Sequence, residues 1–337
     1  MKVNRESLLS TLSAVKLGLA SKEIMEQTKS FAFRNGRVWA YNDSLYTSAP
    51  SPVEDVEGAV PAEELQGLLA KMKDEEVDVT ASGNEMLVAG RRTKAGIRLE
   101  TEIKLPLAAL DKKMKWQSVC ADLLEGMCIV WPFATKSLSR PELACVHIGG
   151  GNVEATDNFQ IARSPAKTGK EPVLVPAHHV PDVLAIGPVC MADRSEWLAF
   201  RNEGEVEVGV RLVEGEYPDL SPFLKPSKGM ESVEFPAGLL ETIERAEVFA
   251  TAEFLQDERL DITFKDGHLK VRAKSDRGWI EETVRTRFKG AMQFAVGPSL
   301  LRMVLDRSNT VTVGDGRMLV CHGKAQFSVS LFTEEEP

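Results

Sequence analysis

The chain of 337 residues is 43% hydrophobic and 27% charged, a composition that excludes a disordered or collagen-like polymer and leaves room for two or three domains. Its 41 basic and 50 acidic residues give a net charge of −9, which argues against a protein that holds nucleic acid by bulk positive charge, although binding depends on how charge is spread over the faces of a fold. Five cysteines, odd in number and without a CxxC pair, together with an N-terminal stretch in which Lys2, Arg5, Glu6 and Lys16 interrupt the apolar residues, point to a reduced, cytoplasmic protein with no signal peptide or membrane span.

The first predicted helix covers Ser7 to Leu19. Asn35-Gly36 then separates two alternating apolar runs within Ser30 to Tyr41, the strongest short-range hairpin signal. Val60 to Met72 reads as a helix with Pro61 and two acids at its start and Leu65, Leu68, Leu69 and Met72 on one face. A second hairpin, Val77 to Val88, turns at Gly83-Asn84. After the connector Leu105-Pro106-Leu107 the same order returns: helix Trp116 to Ala134, hairpin Cys145 to Ala155 turning between Gly149 and Asn152, helical pattern Val175 to Leu184, and hairpin Trp197 to Val208 turning near Gly204. A second connector, Leu224 to Gly229, precedes helix Pro236 to Thr251, hairpin Leu260 to Val271 turning at Asp266-Gly267, helix Val296 to Leu305, and hairpin Thr310 to Val320 turning at Asp315-Gly316.

The marker glycines Gly36, Gly151 and Gly267 are spaced by about 115 residues, a period that makes the chain a threefold repeat. Each repeat holds two hairpins and two helices, so the fold class is α+β with antiparallel sheets, each buried under a pair of helices. The domain edges fall at residues 1–104, 105–227 and 228–337.

Catalytic chemistry finds few footholds. His178-His179 would diverge by about 100° on a helix, and no HExxH or second ligand cluster accompanies them. Gly149-Gly150-Gly151 precedes a strand, whereas a phosphate site needs a helix N-terminus, so a hairpin turn explains it better. Thr168-Gly169-Lys170 lacks the flanking residues of a P-loop, and no Gly-x-Ser-x-Gly elbow is present. Cys120 and Cys128, in an apolar helical stretch, read as core residues. A metal-dependent hydrolase on a three-repeat scaffold, with His178 and nearby acids at its site, is the alternative to a binding protein.

The repeat and two local motifs carry a resemblance. Arg140-Pro-Glu-Leu-Ala144, followed by Val153-Glu-Ala-Thr-Asp-Asn-Phe-Gln-Ile-Ala162, and the stretch Leu212-Val-Glu-Gly-Glu-Tyr-Pro-Asp-Leu220 resemble segments of the bacterial DNA polymerase III beta sliding clamp family. The second match is the more specific, since Gly215, Tyr217, Pro218 and Asp219 coincide with that family's Gly, aromatic, Pro and Asp at fixed spacing. The resemblance extends over nearly the whole chain and implies a ring of two chains paired head to tail through edge strands, closed around double-stranded DNA, with helices lining the hole. It further implies no catalysis, no cofactor and no metal. The partners implied are a DNA polymerase and a clamp loader, bound through short peptide motifs.

On that resemblance, Lys16, Lys22, Lys71, Lys73, Lys136, Arg140, Arg245, Arg302 and Arg307, on or just beyond the predicted helices, are the candidates to meet phosphates, with Glu241, Glu244 and Glu247 diluting the third repeat's share. A thin basic lining inside an acidic exterior reconciles DNA with a charge of −9. The family's apolar peptide cleft between its second and third domains maps here to Thr156, Asn158, Phe159, Gln160, Ile161, Pro218, Pro222, Phe223, Leu300, Ser328, Ser330, Leu331 and Phe332. Asn158, Phe159 and Gln160 replace the family's glycine and polar pair, and Pro222-Phe223 a basic-apolar pair, so partner preference is expected to differ. Ser330-Leu-Phe332 also resembles a clamp-binding peptide that could occupy the cleft, against the simpler expectation of an edge strand with a frayed acidic tail, Thr333 to Pro337.

Overall fold

The computed structural model describes residues 1–23, 25–111, 114–137, 139–169, 171–250 and 258–332. The chain forms two compact units, Met1–Leu124 with Val173–Glu214, and Glu125–Pro172 with Gly215–Pro337.

All six predicted hairpins form. At Asn35-Gly36, Asp266-Gly267 and Asp315-Gly316 both central residues have positive φ, between 49° and 73°. That is the backbone a two-residue hairpin loop matching the strand twist requires, and it is why Asn-Gly and Asp-Gly stand there. Gly150 and Gly151, at φ 57° and 79°, make the equivalent turn between strands Cys145–Gly149 and Asn152–Thr156.

In the first unit, an eight-stranded antiparallel sheet runs in the order Gly58–Pro61, Ser30–Arg34, Arg37–Tyr41, Leu45–Pro50, Glu207–Arg211, Trp197–Arg201, Cys190–Arg194, Gln117–Ser118. Strands of the first and second repeats therefore share one sheet, joined at a seam where Tyr46 faces Gly209 and Ser48 faces Glu207. A four-stranded sheet carries the hairpin Glu76–Ser82 and Glu85–Ala89, flanked by Lys2–Asn4 and Lys94–Arg98. The helices Arg5–Val15 and Ala62–Lys71 bury Leu8, Leu12, Val15, Leu65 and Leu69 against Phe31, Phe33, Val38, Val77, Val79, Met86 and Val88. Asn4 caps the first helix, its Oδ1 accepting from the Ser7 amide at 2.9 Å. The opposite face of the larger sheet is aromatic: Trp39, Tyr41, Tyr46 and Trp197 pack under Leu105, Leu107 and Leu110.

The second unit repeats this plan. Its larger sheet includes, in order, Cys145–Gly149, Asn152–Thr156, Gln160–Pro165, Ala325–Ser330, Arg317–His322, Thr310–Gly314 and Glu231–Glu234. A four-stranded sheet runs Gly278–Arg285, His268–Ser275, Leu260–Lys265, Met292–Val296. Helices Leu239–Glu247 and Pro298–Leu305 bury Leu239, Ile243, Ala246, Leu301, Val304 and Leu305.

Several expectations need correction. The two hairpins of each repeat join different sheets: the four-stranded sheets lie within the first and third repeats, whereas the larger sheets combine strands of neighbouring repeats. The last strand is not an edge: Ala325–Ser330 is paired on both sides, with Gln160–Pro165 and with Arg317–His322. The predicted helix Trp116 to Ala134 is shorter, since Gln117–Ser118 is drawn into a strand pairing with Cys190 and Met191, and the helix proper is Ala121–Val130. Pro132 tightens its end into a 3₁₀ turn, Trp131–Phe133. That helix buries Leu123, Met127 and Val130 on one stripe, which leaves Cys128 exposed and Cys120 only half-buried. Helix Leu239–Glu247 also ends before the predicted Thr251, which with Lys170 and Thr333 to Pro337 lies outside the described residues.

Glu207, at the seam, provides a test of the buried polar face. It is 6% exposed and accepts a hydrogen bond from the Tyr46 hydroxyl at 2.5 Å. Burial raises its carboxyl above the usual range, opposed by that hydrogen bond and by Arg37. The folded chain thus binds this proton more tightly than the unfolded one. The stability it contributes is fully present below the unfolded value of about 4.3 and is lost as pH rises through the raised folded value. Glu207→Gln keeps an acceptor for Tyr46 and carries no charge, so it should be at least as stable as the parent at neutral pH, with a flatter stability profile across the mildly acidic range. Thermal unfolding against pH checks this, and a variant with the parent's slope would refute it.

Candidate functional site

The residues assigned to a cleft all belong to the second unit. A tight turn joins strands Asn152–Thr156 and Gln160–Pro165. Asp157 Oδ1 accepts from the amides of Phe159 and Gln160, both at 2.9 Å, and its Oδ2 accepts from Gln160 Nε2 at 2.9 Å. Thr156 Oγ1 donates to the Gln160 carbonyl at 2.7 Å and accepts from the Asn158 amide at 3.2 Å. Asn158 takes a left-handed φ of 80°, which an asparagine tolerates, and the turn holds Phe159 out with 48% of its surface exposed.

Beside it, Ile161 packs with Leu220 and Leu224, and Tyr217 closes the group. The segment that brings these leucines is shaped by Asp219, whose Oδ1 accepts from the Ser221 amide at 2.9 Å and so starts the 3₁₀ turn Ser221–Phe223. Hydrogen bonding by Ser221 holds the Asp219 carboxyl below its usual range. Pro218 and Pro222 are exposed and Phe223 is half-exposed, giving a second aromatic at the surface. Ile161, Leu220 and Leu224 are themselves buried, so the apolar surface offered here is that of the Phe159 and Phe223 rings, which suit contact with apolar side chains of an extended chain.

Ser328 lies opposite Ile161 across the seam, and the Ser330 amide donates to the Phe159 carbonyl at 2.7 Å. Leu331 and Phe332 diverge from that group. The Leu331 amide donates to the Gly316 carbonyl at 2.9 Å, while the Phe332 amide donates to the Ala295 carbonyl at 2.8 Å with the Arg259 guanidinium 5.6 Å from its ring. Phe332 is therefore held against strand Met292–Val296. Leu300 is half-buried on helix Pro298–Leu305 and is not part of the Ile161 cluster.

Sequence reasoning omitted the cluster's own core, Leu220 and Leu224, whose spacing of four after a Pro-Asp turn was the available signal. It also passed over a polar group on the neighbouring strands. Glu154 is 6% exposed; it meets Arg163 Nε at 2.6 Å and His147 Nδ1 at 2.9 Å, and His147 stacks on Tyr217 with ring centroids 4.8 Å apart. Burial, then the Glu154 charge, raises the Tyr217 hydroxyl above its usual value.

The basic candidates fall into two groups. Lys16, Lys22, Lys71, Lys73 and Lys136 are exposed, with no carboxylate in ion-pair range among the described residues. Lys71 and Lys73 border an open groove shared with Lys2, Arg91 and Arg92, which sequence reasoning did not select, and with Asp74, Glu76 and Asp78. The arginines are engaged. Arg245 makes bonds of 2.7 and 3.0 Å to Glu282; Arg302 pairs with Glu247 and Glu244; Arg140 contacts Glu142 at 3.0 Å and Asn158 at 3.3 Å. Arg307 packs 5.1 and 4.7 Å from the rings of Phe133 and Phe327 and donates to the Met303 carbonyl. Glu244 and Glu247 thus serve as partners for arginine within the unit.

His178 and His179 lie in a 3₁₀ turn, Ala177–His179, with ring centroids 4.0 Å apart, closer than a helix would place them. His179 uses both ring nitrogens, toward Asp182 at 3.1 Å and Ser44 at 3.0 Å. Among the described residues no group of three His, Cys, Asp or Glu converges on a metal-sized site, and no helix is long and apolar enough to cross a membrane.

No family model and no curated protein matches this sequence. Solved structures do match. A DNA polymerase III subunit beta sliding clamp from Pseudomonas aeruginosa superimposes with a TM-score of 0.80 at 17% identity, covering 99% of both chains. The beta chain from Streptococcus pneumoniae gives 0.79 at 16% identity over 98% of this chain and 99% of that one, and the beta subunit from Thermotoga maritima 0.78 at 16% over 99% of both. The chain therefore has the α+β fold of the bacterial DNA polymerase III beta sliding clamp.

Proposed function

We propose that this protein is a sliding clamp that encircles double-stranded DNA as a homodimeric ring in the cytoplasm and tethers a replicative polymerase. The observation that carries the reading is that the clamp fold accounts for the whole chain, end to end. In this reading the repeats, residues 1–104, 105–227 and 228–337, are three clamp domains per chain. The exposed lysines Lys16, Lys22, Lys71, Lys73 and Lys136 are the members of the basic set that face phosphates, because the arginines already neutralise nearby acids or pack on rings. Contacts of that kind hold DNA without reading its sequence, as sliding requires. The protein performs no chemistry; a clamp loader opens the ring.

Topological retention tests this. Protein loaded by a clamp loader onto a nicked circular plasmid should co-elute with the circle and be released when one cut linearises it. Equal retention on circular and linear DNA would defeat the proposal, since only an encircling ring distinguishes the two.

The partner cleft is the group around Ile161, Leu220 and Leu224, and its occupant is a short peptide ending in a leucine and an aromatic. Because Phe223 is half-exposed, Phe223→Ala should change stability by no more than about 0.5 kcal/mol. It should nevertheless weaken binding of a labelled peptide ending in Leu-Phe by about tenfold or more, as loss of an aromatic anchor does. Fluorescence anisotropy reads the affinity, and an unchanged value would remove Phe223 from the site.

A further inference from the structure

The four-stranded sheet of the second unit has a face turned away from its helices. Helix Leu239–Glu247 lies on the other side, where Thr242 and Arg245 bond Glu282. Along strand His268–Ser275, Leu269, Val271 and Ala273 are buried, and the alternate positions His268, Lys270, Arg272 and Lys274 form a column on the open side. The register fixes their neighbours. His268 lies between Arg285 and Lys265, Lys270 between Thr283 and Thr263, Arg272 between Glu281 and Asp261, and Lys274 opposite Trp279. Arg259, two residues before Asp261, ends the last row.

Charge on this face is unbalanced. Arg259, Lys265, Lys270, Arg272, Lys274 and Arg285 stand against two acids, Asp261 and Glu281, and the turns at its ends add Asp266, Asp276 and Arg277. Both acids on the face are already engaged: Asp261 bonds Arg259 at 2.8 Å, and Glu281 lies 3.4 Å from Lys270. Lys265, Arg272, Lys274 and Arg285 have no carboxylate in ion-pair range among the described residues. Stability does not ask for this crowding, since like charges opposed across strands cost free energy. The four-stranded sheet of the first unit shows the alternative: on its open face Lys2, Lys94 and Arg98 are matched by Glu76, Asp78 and Glu85. A chain of net charge −9 thus concentrates positive charge on one of two comparable faces.

The spacing indicates what neutralises it. The column spans about 20 Å, with successive side chains about 6.8 Å apart, so the charges do not converge on one small anion but follow an extended one, as the phosphates of a stretched single strand do. Trp279, 63% exposed beside Lys274, offers an indole face on which an unpaired base stacks while its phosphates meet the cations. A duplex keeps its bases stacked on one another and could not use the ring, and a run of acidic side chains offers no base to it. We propose that this face binds single-stranded DNA, with phosphates along Lys270, Arg272 and Lys274 and one base on Trp279. The choice of DNA over RNA rests on the clamp reading, whereas the site itself does not. Pairing of another chain along the free edge Gly278–Arg285 would use backbone groups in the plane of the sheet and leave this face open.

Fluorescence anisotropy of a labelled oligothymidylate of about twelve nucleotides, long enough to cross the face, tests this with the intact protein. It needs neither a clamp loader nor a circular template, so its failure is distinct from a failure of topological retention. Binding should saturate, and its log affinity should fall against log salt with a slope of about −2, as about three phosphate contacts on a single strand require. Arg272→Gln combined with Lys274→Gln should weaken binding at least tenfold at low salt and make the slope shallower by about 1.4. Trp279→Ala should cost about tenfold without changing the slope, the effect of one lost base stack, and Trp279→Phe should recover most of it. Lys94→Gln combined with Arg98→Gln, on the balanced face of the first unit, should bind as the parent does. All these side chains are exposed, and a thermal midpoint close to the parent's establishes that each variant is folded. A chain ended at Phe332, without the three glutamates that follow, should bind at least as tightly. Competition by a glutamate peptide of equal charge as strong as by unlabelled oligothymidylate, an unchanged slope in the Arg272 and Lys274 double variant, or unchanged affinity in Trp279→Ala would overturn the proposal. So would an equal loss of duplex binding in Trp279→Ala. Tighter binding of an oligouridylate of the same length would overturn the assignment to DNA.

Discussion

Replacing Glu154 with alanine is expected to lower stability by about 3–5 kcal/mol, among the largest effects of any single polar substitution in this chain. The Glu154 and Arg163 side chains are only 8% and 14% exposed and meet at 2.6 Å, with His147 on the second carboxylate oxygen at 2.9 Å. Without Glu154, the hydrogen-bond partner left to the Arg163 side chain among the described residues is the Ser221 hydroxyl, 3.3 Å from both of its terminal nitrogens. A neutral hydroxyl does not replace a carboxylate as the partner of a buried charge, so the cost is that of an uncompensated guanidinium. The pair itself need not be strongly stabilising. Glu154→Leu combined with Arg163→Met should recover most of the loss, because removing both charges abolishes the desolvation cost that removing one exposes. Denaturant unfolding of the two proteins checks the point. A loss under about 1 kcal/mol for Glu154→Ala would mean that the ion pair is solvated and its burial unimportant.

Gly209→Ala should destabilise the first unit by about 1–3 kcal/mol or more, the cost of overpacking, although alanine is ordinarily the better residue inside a regular element. A Cβ at Gly209 would lie 2.0 and 2.3 Å from two ring carbons of Tyr46. That ring cannot swing away: it has no exposed surface, its hydroxyl is bonded to Glu207, and Trp39 and Trp197 flank it at centroid distances of 6.0 and 5.2 Å. The clash therefore outweighs the few tenths to 1 kcal/mol gained by removing a glycine. Tyr46→Ala alone should cost about 3–5 kcal/mol as a large-to-small change in the core. Adding Gly209→Ala to it should cost nothing further, a strong non-additivity in a double-mutant cycle. Unfolding followed by tryptophan fluorescence reports on this cluster. Additive effects would show that the glycine is not there to make room for the ring.

Much of the local structure was legible in the residue order. Asn35-Gly36, Asp266-Gly267 and Asp315-Gly316 demanded positive φ at both turn positions, and the chain adopts it at all three. The leucine spacing of Ala62–Lys71 marked its buried face, with Leu65 and Leu69 inside. The candidate cleft was half legible. The Thr156–Ile161 turn could be located because Thr and Asp next to polar residues bond their own backbone, a local preference. Leu220 and Leu224 were missed because their partner, Ile161, lies about 60 residues earlier in the chain and leaves no periodic trace.

The sequence by itself determined the turns and most of the helices, since each depends on φ preferences and side-chain spacing within a few residues, although the predicted helix Val175 to Leu184 begins as the strand Val173–Pro176 and the 3₁₀ turn Ala177–His179. Only the tertiary structure decided which strands share a sheet. Pairing Leu45–Pro50 with Glu207–Arg211, and Gln160–Pro165 with Ala325–Ser330, brings together segments more than 150 residues apart, and backbone hydrogen bonds at those seams use groups that every residue carries. The second of these seams removed the predicted edge from the last strand. Packing elsewhere settled the polar chemistry: adjacent strands placed Arg163 on Glu154, and helix contacts engaged Arg245 with Glu282 and Arg302 with Glu247. For the two arginines, charge pairing follows from contacts between segments far apart in the chain, which no local pattern encodes.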